Sequence, residues 1–529
     1  MRIQPAQILC RTFLVLSILA TFQLSHAQSG YQISFQVNGT AQSVAIDTVG
    51  FSIFRCVAAQ YLPPNGDPKV LVTQVDSFTL PFWTMTFGSA GNSYWPHDIL
   101  AEPIGAYIVA GEVDIDNNGD RDAFLLQLGT NGAVQWRSLY GESVFDEGFH
   151  ATSGYANAMY GSTGYKDVQG FFGPHRDLYF HLASNNTGSE QVSATIGGPL
   201  PEEGLDIVNT GKGEFICAGY SQSFSTQADP DIYLVKFDSL GQKVWSRVIS
   251  CGDQADVAHA ITKVNSNLYA VTGVTSSYSN AMAGEVFLLE IDSNGTVLNL
   301  EVYGNSEGRT GRDIKATNDG GYIISGGTDL GSEAFFLKLD SSRSQEWHWQ
   351  YEGELINELV YENGEITGVG TYTDPSSGLE MYQIRVLPNG STQCGDTAIN
   401  LNQITPAFQT IVPNDMHALA AGSVFATDIP GTVNLSFGPV CTATDLEDQS
   451  QFALIAFPNP SQESVKISIG PDKVGEVPFE LFDLQGRKWI EGILSEGEAQ
   501  IDVSGLAKGL YFLKVQIEGQ LINKKLMVQ

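Results

Sequence analysis

The chain has 529 residues, 42% hydrophobic and 16% charged, with 56 glycines and 21 prolines. It can bury large cores and is turn-rich, which sets it apart from chains kept disordered by charge. Its 27 Lys+Arg against 59 Asp+Glu give a net charge of −32, which repels phosphate backbones and anionic headgroups and makes nucleic acid and acidic membranes poor partners.

Residues 1–27 read as a secretory signal. Arg2 and Arg11 precede an apolar run from Thr12 to Phe22, and Ser25-His26-Ala27 fits a small-x-small cleavage site. The run is well short of the roughly 20 residues a spanning helix needs, and no later segment reaches that length. The mature chain is expected to start near Gln28 and to lack a transmembrane segment.

From about residue 40 to residue 397 a four-part phrase recurs, clearest as Arg312–Thr317, Gly320–Gly326, Ala334–Asp340 and Trp347–Tyr351. Its third part has copies starting at Val70, Ala123, Asp177, Ile232, Val286, Phe335 and Met381. A spacing near fifty residues with four strand-length parts predicts an all-β fold, a seven-bladed β-propeller over 28–397. Helical repeats are excluded because Val-, Phe- and Tyr-rich parts bounded by glycine lack a 3.6-residue period. Asn131-Gly132, Leu240-Gly241, Asn294-Gly295 and Asn389-Gly390 mark hairpin turns between the third and fourth parts. Trp83, Trp136, Trp245 and Trp347 fall at similar places in the fourth part and are expected to pack between adjacent blades, the other reading being a ligand platform. The seventh repeat lacks a final strand, and Tyr31–Gln36 is expected to supply it, closing the ring and removing its edges.

Beyond the signal, the cysteines are Cys56, Cys217, Cys251, Cys394 and Cys441, an odd number in an oxidising compartment. Cys217 and Cys251 fall two strands apart in one blade, about 9.6 Å by strand spacing, too far to bridge. Cys394 and Cys441 bracket a region without the repeat phrase, and a bridge between them would pin it with a stabilisation of about 4 kcal/mol. Residues 398–452 read as an extension and linker, and a new unit occupies 453–529. From residue 450 on there are 8 Lys+Arg and 10 Asp+Glu, so the acidity belongs to the propeller.

That last unit alternates inward and outward residues at Val465–Ile469 and Leu510–Ile517, the pattern of a small antiparallel β-sandwich of Ig-like kind. Its motifs are Phe457-Pro458-Asn459-Pro460-Ser461, Phe479 to Arg487, Gly505 to Val515 and Lys524 to Val528. In order and spacing they resemble the type A C-terminal sorting domain of type IX secretion cargo in the Bacteroidota. The resemblance implies that Pro458, Asn459, Pro460, Gly486, Gly509, Tyr511, Lys524 and Lys525 belong to the sorting signal. It also implies that the partners are the type IX translocon and sorting machinery, and that the product is extracellular or attached to the cell surface. The repeats look like bacterial propellers carried by such cargo, best at Asp319–Ile323, which implies a fold and no particular activity.

For chemistry, Asp114, Asp116, Asn118, Asp120 and Asp122 place oxygen ligands on alternate residues around Gly119, as at the start of an EF-hand-type loop, and are the candidate site for Ca²⁺. The twelfth-position Glu is absent, since Leu125 stands there. Gly304-Asn305-Ser306-Glu307-Gly308 matches a nucleophile pattern without the helix that pattern needs. His97, His150, His175, His181, His259, His348 and His417 read as individual loop or strand residues, and Asp98, Asp206, Asp256 and Asp313 as turn-forming acids. No catalytic residue is assigned. The expected function is a surface or secreted binding or adhesion module with a glycan or protein ligand on a propeller face. The alternatives are an extracellular enzyme acting on polysaccharide and a structural surface-layer component.

Overall fold

The structure, a computed structural model, describes residues 30–528. It leaves out the segments 50–53, 77–80, 103–105, 142–145, 156–158, 171–172, 279–283, 329–332, 421–430, 433–435, 443–452, 458–463, 471–476, 484–487, 496–497 and 518–519 and the single residues 212, 226, 306, 363, 393, 395 and 508. Two units separate near residue 443. The first holds seven antiparallel sheets, one per repeat, which we number as blades 1–7 from the inner strand outward. Inner strands are Thr40–Val49, Ser93–Ala101, Glu147–Tyr155, Glu202–Asn209, Asp256–Asn265, Arg309–Ala316 and Leu355–Glu362.

The third strands show why the blades stack. In Ala334–Leu339 every residue is buried, and the strand's alternation divides them between two interfaces. Phe335, Leu337 and Leu339 pack on blade 5 with Val286 and Leu288, whereas Ala334 and Phe336 pack on blade 7 with Ile356 and Tyr382. A sheet buried on both faces reads as a continuous apolar run, and each such Phe or Leu contributes about 1.5–3 kcal/mol of burial.

Ring closure comes from the N-terminus. Tyr31–Gln36 runs antiparallel to Gly378–Val386 as the fourth strand of blade 7, with Ile33 opposite Gln383. The described residues of the extension, between 397 and 442, form a belt of short strands that runs against the order of the blades. Thr397–Ala398 adds a fifth strand to blade 6, Asn402–Ile404 to blade 5, Gln409–Ile411 to blade 4 and Met416–Ala420 to blade 3. Gly431–Thr432 then pairs with blade 1, and Ser436–Thr442 covers Tyr31–Gln36 on blade 7. The passage across blade 2 lies outside the described residues.

Neighbouring blades are also joined by polar bonds. The indole N–H of Trp83, Trp136 and Trp245 donates to a backbone carbonyl in the next blade's hairpin turn, at Thr130, Asn185 and Ser293. In blade 6 the donor is Trp349, bonding Asn389, in place of the expected Trp347. Turn glycines sit directly on these rings. Gly295 has φ 75°, and a Cβ there would lie 3.0 Å from Trp245 Cζ3, so glycine serves both the left-handed backbone and the close approach.

On the channel side every inner strand carries a β-bulge, and the residue after it is often acidic. Asp98 accepts the Thr152 N–H at 2.6 Å, Asp206 that of Ile261 at 2.6 Å, Asp313 that of Leu359 at 2.9 Å and Glu358 that of Ile46 at 2.8 Å. Blade 1 has Ala45 at that place and uses Asp47, which accepts from Ala101 at 2.7 Å. These carboxylates tie blades 1, 2, 4, 6 and 7 each to the next, a correction to the reading of Asp98, Asp206 and Asp313 as turn formers. Asp256 differs: it accepts the Cys251 N–H at 2.7 Å and the Thr275 hydroxyl at 2.5 Å within its own blade region. Burial holds Asp98 above the ordinary carboxyl range and pushes Asp206 up to about 7 and Asp47 up to about 6. Lys315 stands among these acids, 2.9 Å from Asp313. Burial pulls its ammonium down, and the carboxylates of Asp313, Glu358 and Asp206 more than offset that.

The second unit packs a three-stranded sheet, Ala453–Phe457, Ser464–Gly470 and Glu498–Asp502, with a four-stranded one, Lys488–Leu494, Val477–Asp483, Gly509–Ile517 and Gln520–Val528. Val465, Ile467, Leu481, Leu513 and Leu526 fill the space between them.

Two outcomes follow from the blade junctions. Gly295→Ala should destabilise the propeller by about 1–3 kcal/mol, from left-handed strain plus displacement of Trp245, read as a lower urea midpoint at unchanged slope. Asp206 binds its proton more tightly in the fold than in the unfolded chain, so from about pH 4 to about pH 7 its contribution to stability falls as pH rises. Asp206→Asn keeps an oxygen for the Ile261 N–H and should flatten the decline of melting midpoint between about pH 5.5 and about pH 8.

Candidate functional site: the channel mouth

The bulges decide what the channel presents. Register shifts fall at the same place on all seven inner strands, which leaves Val44, His97, His150, Leu205, His259, Arg312 and Asn357 as the bulged residues. A bulge re-aims its side chain and frees it from the ladder. All seven line one cavity of about 350 Å³ at the ring centre, together with Asp98, Asp206, Asp313 and Glu358. Three of the histidines, in blades 2, 3 and 5, are therefore at equivalent places, and are not the scattered individual residues they look like in the sequence. Sequence periodicity could have found them, because each stands directly before the residue that follows the bulge.

Around His97 and His150 the ring loses its symmetry. His97 Nε2 lies 3.1 Å from Glu112 Oε1, and Arg121 Nη1 donates to Glu112 Oε2 at 2.8 Å. The Arg121 guanidinium rests 4.4 Å from the centre of the Trp95 ring. On the neighbouring junction Glu203 accepts from Arg176 Nη1 at 2.6 Å and lies 3.6 Å from His150 Nε2, while Arg176 stacks at 3.8 Å on Tyr165. The two imidazoles face each other with centroids 5.1 Å apart. Gly148 makes this crowding feasible, since a Cβ there would lie 2.6 Å from Glu112 Cγ and 2.7 Å from Tyr165 Cε1.

Electrostatics fixes the charge states of the carboxylates. Burial raises Glu112, but His97 and Arg121 outweigh it and bring the carboxyl down to about 2. Glu203 reaches about 2 in the same way, against burial, through His150 and Arg176. Both are anions at neutral pH, so each accepts hydrogen bonds only and orients the imidazole beside it. His259 goes the other way: burial and the like charge of Arg312 push it down to about 3, which keeps the ring neutral. The mouth thus offers a neutral imidazole, two carboxylate-braced imidazoles and an exposed guanidinium at Arg312. Such a set can bind hydroxyls and amides at fixed angles, and an imidazole braced by a carboxylate is the arrangement of a general base.

The other sequence candidates lie elsewhere. Asp114 closes its own loop, accepting from the N–H groups of Asn118 at 2.9 Å and Gly119 at 3.0 Å, and Asn118 accepts from Asp120 at 2.7 Å. Asp116 and Asn117 take positive φ of 61° and 48°. Burial and the charges of Asp120 and Asp146 push Asp122 up to about 6. Among the described residues no three His, Cys, Asp or Glu side chains converge as metal ligands. Cys56, Cys217 and Cys251 are buried thiols without a disulfide partner. Ser306, Pro458, Asn459, Pro460 and Gly486 lie outside the described residues, as do the side chains of Cys441, Lys524 and Lys525. Gly509 starts a strand at φ 156°, and the Tyr511 hydroxyl donates to Ala507 O at 2.9 Å.

Residues 455–529 match the model of the secretion system C-terminal sorting domain. A comparison with curated proteins gave no match. Among solved structures, a GH32 β-fructofuranosidase of Bombyx mori, BmSUC1, is 11% identical, covering 82% of this chain and 89% of its own at a TM-score of 0.24. Dimeric latent PorU from Porphyromonas gingivalis is 11% identical over 93% of this chain and 34% of its own, at 0.13. Those TM-scores carry no argument about fold or activity, and the propeller rests on its strand order. Among the described residues no helix is long and apolar enough to cross a membrane. With the sorting domain at its C-terminal end, the chain is type IX secretion cargo, exported across the outer membrane to the cell surface or the medium.

Proposed function

We propose that the exported propeller is a glycan-binding module whose ligand enters the channel mouth. One observation carries this reading. The seven inner strands share one bulge, yet the bulged residues differ, and the polar ones gather at His97, His150, His259, Arg312 and Asn357 around a cavity of about 350 Å³. Purely structural blades would have no use for that asymmetry, whereas a sugar ring, with hydroxyls in several directions, is recognised by fixed donors and acceptors of this kind. A second reading, an enzyme acting on polysaccharide, draws on the carboxylate-braced imidazole of His97.

Retention of the purified chain on a panel of insoluble polysaccharides, with calcium and with EDTA, tests both. The expected result is retention on at least one matrix, weakened about tenfold by Arg312→Gln or His97→Ala, since a hydrogen bond to a charged group is worth about 1.5–3 kcal/mol. Release of soluble sugar from the retained matrix, abolished by His97→Ala, would favour the enzyme. An EDTA-sensitive retention would bring the Asp114–Asp122 loop into the account. No retention on any matrix contradicts the glycan reading and leaves a protein partner or a surface-layer role.

A further inference from the structure

The start and the end of the belt meet at one buried residue of the closing strand. Gln32 is fully buried, and its amide nitrogen donates to Thr392 Oγ1 at 3.0 Å and to Asp396 Oδ1 at 3.1 Å. Its amide oxygen accepts from the Tyr382 hydroxyl at 2.8 Å. Thr392 and Asp396 therefore both reach Gln32, and Asp396 Oδ2 accepts the Thr392 N–H at 2.5 Å. Cys394 stands between these two residues in the sequence and is buried. On the other side, the strand register places Cys441 directly opposite Gln32. Antiparallel partners have Cα atoms about 4.5–5.5 Å apart, which sets the Cys441 backbone beside the residue whose side chain reaches Thr392 and Asp396. One glutamine thus has one cysteine opposite it in the ladder and another, Cys394, between the two residues bonded to its side chain.

We propose that Cys394 and Cys441 form a disulfide that clasps the belt shut around the propeller. The two thiols give up two protons and two electrons to an external disulfide by exchange, yielding the Cys394–Cys441 bond and two thiols on the donor. Such donors belong to the oxidising compartment an exported chain traverses. The bond does more than pin an extension. Tyr31–Gln36 lies between blade 7 and the last belt strand, so a covalent belt traps the strand that closes the ring. The three remaining cysteines, Cys56, Cys217 and Cys251, stay as buried thiols.

The test uses the full chain purified without reductant, denatured and alkylated. Alkylation is expected at Cys56, Cys217 and Cys251, with Cys394 and Cys441 recovered as a linked peptide pair that separates only after reduction. Alkylation of both Cys394 and Cys441 before reduction overturns the proposal. A second readout needs no variant: a protease cut inside the belt should leave two fragments that run together on a non-reducing denaturing gel and apart after reduction, and separation without reductant contradicts the clasp. The double variant Cys394→Ser with Cys441→Ser should melt lower by roughly 5 °C or more, as expected for opening a long loop.

Discussion

An open stack of sheets exposes two edges, and a row of unpaired N–H and C=O groups invites another chain. The whole propeller depends on removing them. Tyr31–Gln36 does so by crossing from the start of the chain to its last repeat, where it pairs with Gly378–Val386 on one side and Ser436–Thr442 on the other. Continuous burial of third strands such as Ala334–Leu339 is possible only because each blade has a neighbour on both faces. Those neighbours exist all the way round only if the ring is closed. The belt extends the same logic outward, capping the outer strands of blades 1 and 3–7.

Within that ring, repetition and difference have separate roles. Whatever recurs is structural: the bulge on every inner strand, the indole bonded to the next hairpin turn, the acid that accepts the next blade's N–H. Whatever departs from the repeat sits at the mouth. His97 and His150 have braced carboxylates, His259 is kept neutral by burial and by Arg312, and blades 1 and 4 offer Val44 and Leu205. A site built from the differences between equivalent positions needs no extra elements, since the blades already hold each side chain at a fixed height and angle around the axis.

Much of this was legible in the sequence. Third-strand copies, Asn-Gly turns and the orphan strand at Tyr31–Gln36 carry strong local signals, because strand burial and positive φ leave few residue choices. The sorting domain was legible as motifs. The belt was not: its strands are two to seven residues long, and those from Thr397 to Ile411 are exposed or half-buried, so no apolar alternation marks them. The site was half hidden for another reason. His97, His150 and His259 recur at the repeat spacing, but a bulge shifts register without changing composition, and only the ladder shows that the three share one cavity. Trp347 and Trp349 both fit the phrase, share one face of Gln345–Tyr351 and both meet the turn at Gly390, so the phrase alone does not say which indole donates to Asn389.

Hydrogen exchange of the Tyr31–Gln36 amides tests the closure most directly. A strand paired on both sides opens only with the ring, so its amides should be protected as long as those of an interior strand such as Asp231–Phe237. Exchange as fast as that of the short belt strands Asn402–Ile404 and Gln409–Ile411 would mean that the terminal strand is a loose edge, and the closed ring would have to be abandoned.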